Sequence, residues 1–216
     1  MFDNSFYPTP KNLIQKMIAK ISGQAEKALE PSAGKGDIAE ALADHYSYHH
    51  RYHNVDISAI EKDEHLQAIL RDKHIKVIDS DFLTYSGPDK FDLIIGNPPF
   101  EDGDVHLLKA IEIMYRGEIV FLLNAETLKN PFTNKRQALK NKLEELGAEV
   151  EYIKDAFIDA ERKTAVEVAL VYIKIERSVE EDLFKGADDA TPEDCREEVK
   201  DAHELSTGRT IKELVA

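Results

Sequence analysis

Short apolar runs and helix-length stretches alternate along most of this chain, and that alternation restricts the fold more than any other feature. The runs Ala28–Glu30, Val55–Ile60, Lys76–Asp79, Phe91–Gly96 and Glu118–Leu123 read as strands. Asp37–Ala43, Asp63–Arg71, Val105–Met114 and Lys135–Leu146 read as helices. An opening helix, Asn12–Ile21, follows Pro8 and Pro10, whose rings hold the chain extended just before it. A helix-length spacer returns the chain so that the next strand lies parallel to the last, and repeated crossovers of this kind put helices on both faces of the sheet. The last two runs differ. Val150–Phe157 and Val166–Ile175 are joined only by residues 158–165, too few for a helical crossover, so an antiparallel hairpin is expected. The expected fold is therefore α/β: a mostly parallel seven-stranded sheet with helices on both faces and an antiparallel C-terminal hairpin.

Composition places that fold in a class. Of 216 residues, 42% are hydrophobic, enough for one ordinary core, and no apolar run reaches the ~18 residues of a membrane-spanning helix. Met1-Phe2-Asp3-Asn4 lacks the basic and apolar start of a secretory signal, and the single Cys195 can make neither an intrachain disulfide nor, alone, a zinc site. The chain is expected in the cytoplasm, without membrane partners. Its formal charge is −14, and residues 178–216, with 12 acidic and 5 basic side chains, hold half of that excess. Residues 1–177 are the expected folded domain. Residues 178–216 are either an acidic tail or the truncated start of a further, recognition, domain.

The segment richest in chemistry is Asp92-Leu93-Ile94-Ile95-Gly96-Asn97-Pro98-Pro99-Phe100. Two prolines directly after a buried strand offer no N–H to a ladder, so the chain must leave the sheet there as a stiff loop. It leaves at the carboxyl end of a parallel strand, the edge at which such sheets bind ligands. The loop presents an amide oxygen on Asn97, the Pro98 carbonyl and the ring of Phe100. Two acceptors and an aromatic face suit a planar amino group on a ring.

These residues resemble the catalytic motif of the S-adenosylmethionine-dependent amino-methyltransferases, above all the N6-adenine DNA methyltransferases. The family's other motifs occur in the gamma-type order. Phe6-Tyr7-Pro8-Thr9-Pro10 is similar to the N-terminal cofactor motif, and Leu29-Glu30-Pro31-Ser32-Ala33-Gly34-Lys35-Gly36 to the glycine loop. Glu61 stands where the family's ribose-binding acid ends the second strand, and Asp81-Phe82 where the cofactor's adenine lies. The resemblance covers residues 6 to about 175 and implies a Rossmann-like class I methyltransferase fold with S-adenosylmethionine as cofactor. It implies a cofactor site of Tyr7, Thr9, Pro10, Glu30, Pro31, Gly34, Gly36, Glu61, Asp81 and Phe82, with Asn97, Pro98, Pro99 and Phe100 as the catalytic residues.

Gly34 and Gly36 let the backbone turn and approach a ligand, with the next helix aiming its N-terminus at a carboxylate. Glu61 ends the strand after Glu30, where an acid can accept both ribose hydroxyls. Lys62 stands where the family often has an apolar residue, so its aliphatic stem is expected over the cofactor's adenine.

Bulk charge cannot hold nucleic acid on so acidic a chain. Lys129, Lys135 and Arg136, with Lys140 and Lys142 farther on, follow the fifth strand at the active-site edge and could grip phosphates; Arg162-Lys163 could add to them. The histidine-rich run His45–His53 has a possible metal spacing but no cysteine or acid of its own, so a surface turn is expected and no metal. The expected activity is adenine-specific, site-specific DNA methylation of the restriction-modification kind, sequence being read by a separate or missing recognition domain. The same motif serves RNA adenine and the glutamine amide of proteins; a non-enzymatic cofactor-binding immunity or scaffold module is the alternative of another class.

Overall fold

The computed structural model describes residues 8–49, 55–157 and 166–176. Helix α1 (Lys11–Ala19) leads into β1 (Lys27–Pro31), α2 (Asp37–His49), β2 (Asp56–Ile60), α3 (Glu64–Asp72), β3 (Lys76–Asp79) and β4 (Leu93–Gly96). Then come α4 (Gly103–Ile113), β5 (Arg116–Asn124), α5 (Glu126–Lys129), α6 (Asn134–Glu145), β6 (Glu149–Ile153) and β7 (Val168–Glu176). The strands form one sheet in the order β3-β2-β1-β4-β5-β7-β6. All pairs from β3 to β5 are parallel, while β7 runs antiparallel to both β5 and β6. The expected architecture is thus present, with β7 inserted between β5 and its hairpin partner β6.

Side-chain alternation explains why helices cover both faces. Leu93, Ile95, Val120, Leu122, Val168 and Leu170 point to one side, where they pack with Leu13 and Met17 of α1 and Ile38, Leu42 and Tyr46 of α2. Ile94, Ile119, Phe121, Leu123, Ala169 and Val171 point to the other, against Leu107, Ala110 and Ile111 of α4 and Leu139 and Leu143 of α6. Two helices are capped by the side chains that precede them. Asp63 accepts from the His65 and Leu66 amides, and Thr133 accepts from Arg136.

Two local expectations need correction. His45–His49 lies within α2 rather than in a surface turn, because Ile38, Leu42 and Tyr46 recur every fourth residue and the tyrosine is buried. The rest of that histidine run, and the linker 158–165 with Arg162 and Lys163, lie outside the described residues. The strand expected over 150–157 ends at Ile153, and the chain then turns so that Phe157 enters the core. Residues 178–216 also lie outside the described part.

Strands β4 and β5 meet at a tight point. Gly117 has φ +146°, and a Cβ there would overlap the Asp92 carbonyl, which itself accepts the Glu118 amide. Backbone cannot yield as a flexible side chain can. Gly117→Ala is expected to lower unfolding free energy by more than about 2 kcal/mol, read from the urea midpoint at unchanged slope.

Candidate functional site

The order β2-β1-β4-β5 makes the chain depart in opposite directions after β1 and after β4, and a crevice opens where the two strands end. The crevice is a cavity of about 380 Å³. Thr9, Glu30, Gly34, Glu61, Asp81, Phe82, Asn97, Pro98, Pro99 and Phe100 all line it. Residues from five separate stretches of chain, chosen on sequence, therefore meet at one place. Pro10, Pro31 and Gly36 lie behind this wall. The Pro10 carbonyl accepts the Leu13 and Ile14 amides of α1, and Pro31 ends β1. Gly36 has φ +82°, where an L side chain is strained, and a Cβ there would also come within 2.6 Å of Ile75 and 2.7 Å of Leu70. Tyr7 lies outside the described residues.

Glu61 ties the glycine loop to the end of β2. One carboxylate oxygen accepts the Gly34 amide at 2.7 Å and the other the Asp63 amide at 2.9 Å, while Gln67 donates to its backbone carbonyl. Gly34 itself sits at φ +58°, a turn that favours glycine. Glu30, buried at the end of β1, accepts the Ala39 amide at 2.9 Å in the first turn of α2. That helix terminus thus spends one of its free N–H groups on the protein's own carboxylate. Asp81 accepts from the Leu83 amide and stands 3.7 Å from the Lys62 ammonium. Lys62 lines the cavity from an exposed position at its rim.

The loop after β4 departs as its prolines require. Gly96 lies so close to β1 that a Cβ would stand 3.1 Å from the Pro31 carbonyl. Asn97 follows, and its side-chain nitrogen donates to the Thr9 hydroxyl at 3.0 Å. Its side-chain oxygen is buried without a hydrogen-bond partner. A buried acceptor left unmet costs free energy, typically about 1–3 kcal/mol, so such a group points to a ligand that completes it. Phe100 packs edge-on against Phe157, their centroids 5.6 Å apart.

Two contributors, Phe157 and His106, escaped the sequence reading, as did the contact that the expected Thr9 makes with Asn97. Thr9 faces Asn97 across 88 positions of sequence. Phe157 supports Phe100 from the turn after β6. His106 lines the cavity, its ring stacked on Phe82 at 5.9 Å and its Nδ1–H donating to the Asp102 carbonyl at 2.8 Å. Burial lowers the pKa of that imidazole. Spacing gave no signal for any of these, since each contact joins elements whose approach depends on the whole sheet. Of the basic residues, Lys129 pairs with Glu167 at 2.5 Å, Arg136 lies 3.9 Å from Asp104, and Lys135 is exposed with no ion pair among the described residues. No group of three His, Cys, Asp or Glu able to hold a metal occurs among the described residues, nor does a helix long and apolar enough to cross a membrane.

The chain belongs to the methyltransferase small domain family, whose model matches residues 9–155 and so takes in nearly all of the cavity wall. Among solved structures, the 23S rRNA methyltransferase ErmE matches with a TM-score of 0.60 at 19% identity, over 80% of this chain and 70% of its own. The methyltransferase subunit of a type I restriction-modification system from Streptococcus thermophilus gives 0.59 at 14%, over 80% of this chain but only 45% of that subunit. The N-methyltransferase NodS of Bradyrhizobium japonicum WM9, in complex with S-adenosyl-L-homocysteine, gives 0.54 at 14%, over 81% and 90%. At such identities the likeness is one of fold. No curated protein matches the chain. The fold is the Rossmann-like class I methyltransferase fold, and its cofactor is S-adenosylmethionine. The cavity fits such a ligand: its acids can accept from amino and hydroxyl groups, Phe82 offers an aromatic wall, and its volume suits a small molecule.

Burial pushes the Glu30 carboxyl well above the usual carboxylate range, and the nearby Asp37 and Glu61 push it the same way against the Ala39 amide bond. Below the unfolded-state pKa both states hold the proton and no penalty arises. As pH rises the unfolded chain ionises first, and stability falls until the native carboxyl follows. Glu30→Gln is therefore expected to unfold at a higher temperature than the parent at pH 8 and at the same temperature near about pH 4. A variant less stable than the parent at pH 8 would contradict this.

Proposed function

We propose that this chain transfers a methyl group from S-adenosylmethionine to the N6 amine of adenine in DNA, with Asn97, Pro98, Pro99 and Phe100 forming the catalytic loop. The observation that carries the reading is the Asn97 side-chain oxygen, buried at the cavity without a partner while Thr9 occupies the amide nitrogen. When bound, the cofactor supplies an electrophilic methyl group on a sulfonium. In this reading Glu61 accepts the ribose hydroxyls, Asp81 accepts the cofactor's adenine amine beside Phe82, and Thr9, Glu30 and Gly34 line the methionine end.

The N6 lone pair of adenine is delocalised into the ring, which makes it a poor nucleophile. Asn97 Oδ1 and the Pro98 carbonyl each accept one of its N–H bonds. As the nitrogen turns tetrahedral its hydrogens gain positive charge, and both contacts strengthen in the transition state more than in the ground state. Both acceptors are neutral, so no ionised base is required before attack: the N–C bond forms as the sulfonium S–C bond breaks, and the surplus N6 proton is then lost to water. The stiff Pro98-Pro99 backbone holds them in place, which removes part of the entropic barrier. A base within a duplex cannot reach this depth; it must be flipped out, to rest on Phe100, whose ring Phe157 steadies. Adenine in RNA presents the same amine and is the second substrate to assay.

Asn97→Ala is expected to lower methyl transfer to adenine-containing DNA by ~10²–10³ while calorimetric affinity for S-adenosylmethionine holds. Thr9→Ala is expected to lower kcat about tenfold by releasing the amide, and Thr9→Ser to restore it. Parent-like turnover in Asn97→Ala would remove the catalytic assignment and with it the substrate.

A further inference from the structure

The chain carries a strong net negative charge, yet residues 129–142 contain five basic residues and no acidic one. This stretch spans the end of α5, the loop Asn130–Thr133 and most of α6. It starts beyond the carboxyl end of β5, the same sheet edge on which the cavity opens. In the middle of it Phe132 is 81% exposed, the most exposed large hydrophobic side chain among the described residues.

Burying Phe132 would have been worth ~2 kcal/mol, so its exposure needs a reason. The residues around it hold it in place. The Phe132 amide donates to the Asn130 carbonyl at 2.8 Å, Pro131 fixes the turn, and Thr133 caps α6. The Arg136 guanidinium lies over the Phe132 ring at 4.9 Å from its centroid. Arg136 is itself drawn to Asp104 at 3.9 Å, in the first turn of α4, and a Cβ on the neighbouring Gly103 would stand 4.0 Å from Pro98 of the catalytic loop. Lys135 beside it is uncommitted to any acid among the described residues, and across α5 the Lys129 ammonium lies over the ring of Tyr152, another partly exposed aromatic.

We propose that Phe132 and Arg136 form a stacking platform for an unpaired nucleobase next to the adenine in the cavity, with Lys135 taking an adjoining phosphate. The inference rests on the nucleic-acid reading above and extends it to a second binding site. An aromatic ring backed by a guanidinium offers a flat face to any base, whereas an acidic or apolar protein partner would use only half of what is present. Base flipping takes one stacking partner from the neighbouring base, and a platform joined through Arg136 and Asp104 to the start of α4, beside the cavity, replaces the lost contact.

The test uses the full chain and a fluorescein-labelled, adenine-containing single-stranded DNA oligonucleotide, with binding followed by anisotropy across a salt series. Stacking on one aromatic ring is worth ~1–3 kcal/mol, so Phe132→Ala is expected to weaken binding by about 5–150-fold at every salt concentration, leaving the salt slope unchanged, and Phe132→Trp to bind like the parent. Lys135→Ala is expected to do the reverse, lowering the slope by ~0.7. Affinity for S-adenosylmethionine should be the same in all variants. If the parent binds the oligonucleotide and Phe132→Ala binds equally well, the platform is overturned and the nucleic-acid reading stands. A parent that binds neither DNA nor RNA oligonucleotide overturns both. If sedimentation shows the parent to be a dimer and Phe132→Ala a monomer with unchanged DNA affinity, the ring is a self-association contact and the platform is again overturned.

Discussion

Everything at this site depends on the parting of the chain after β1 and β4. The two strands are neighbours in one sheet, but β1 continues through α2 towards β2, on one side, and β4 through α4 towards β5, on the other. Backbone that would otherwise fill the space above the strand ends is carried away in both directions. What remains is a crevice lined by Glu30, next to last in β1, and Asn97, the first residue after β4. Gly96 brings the strands close enough for this to work, since a side chain there would press on the Pro31 carbonyl.

The polar groups around the crevice divide into the satisfied and the waiting. Glu61 and Glu30 each hold a backbone amide of the loop and helix between β1 and β2, so these acids shape the glycine loop before any ligand arrives. Such internal bonds preorganise a site and leave further lone pairs for hydroxyl or amino donors. The Asn97 oxygen differs, being buried and unmet. It lies at the strand end beside the stiff proline loop, and in the proposed function it is the acceptor for an incoming N–H. At the opposite edge of the sheet Glu118 shows the other case. Glu118 takes the Ser22 and Tyr172 hydroxyls and the Ser22 and Gly23 amides, which lower its pKa despite the burial that opposes them and mark it as a structural anchor.

The sequence revealed what the backbone itself dictates. Paired prolines after Ile94-Ile95-Gly96 had to leave the sheet, and β3 runs over Lys76–Asp79 as its apolar pattern implied. The seven strands and the antiparallel hairpin followed from spacer length. What stayed hidden depended on tertiary contact. α2 extends through a run rich in histidine because Tyr46 finds a buried site, α5 is too short to leave a periodic signal, and Thr9 meets Asn97 only once α1 and β4 are both in place. Phe132 reads as one more aromatic residue until its exposure is known. His106 looks like any helix residue, yet it forms part of the cavity wall beside Phe82.

One measurement goes to the centre of this account: the chemical identity of the methylated product. Parent protein and labelled S-adenosylmethionine are incubated in parallel with unmethylated DNA, with RNA and with total protein, and each product is digested and resolved by mass spectrometry. The expected result is label in DNA as N6-methyladenine, the amine proposed to bond to Asn97 and Pro98. Label on a carbon atom, or on a protein glutamine with none in nucleic acid, would contradict it.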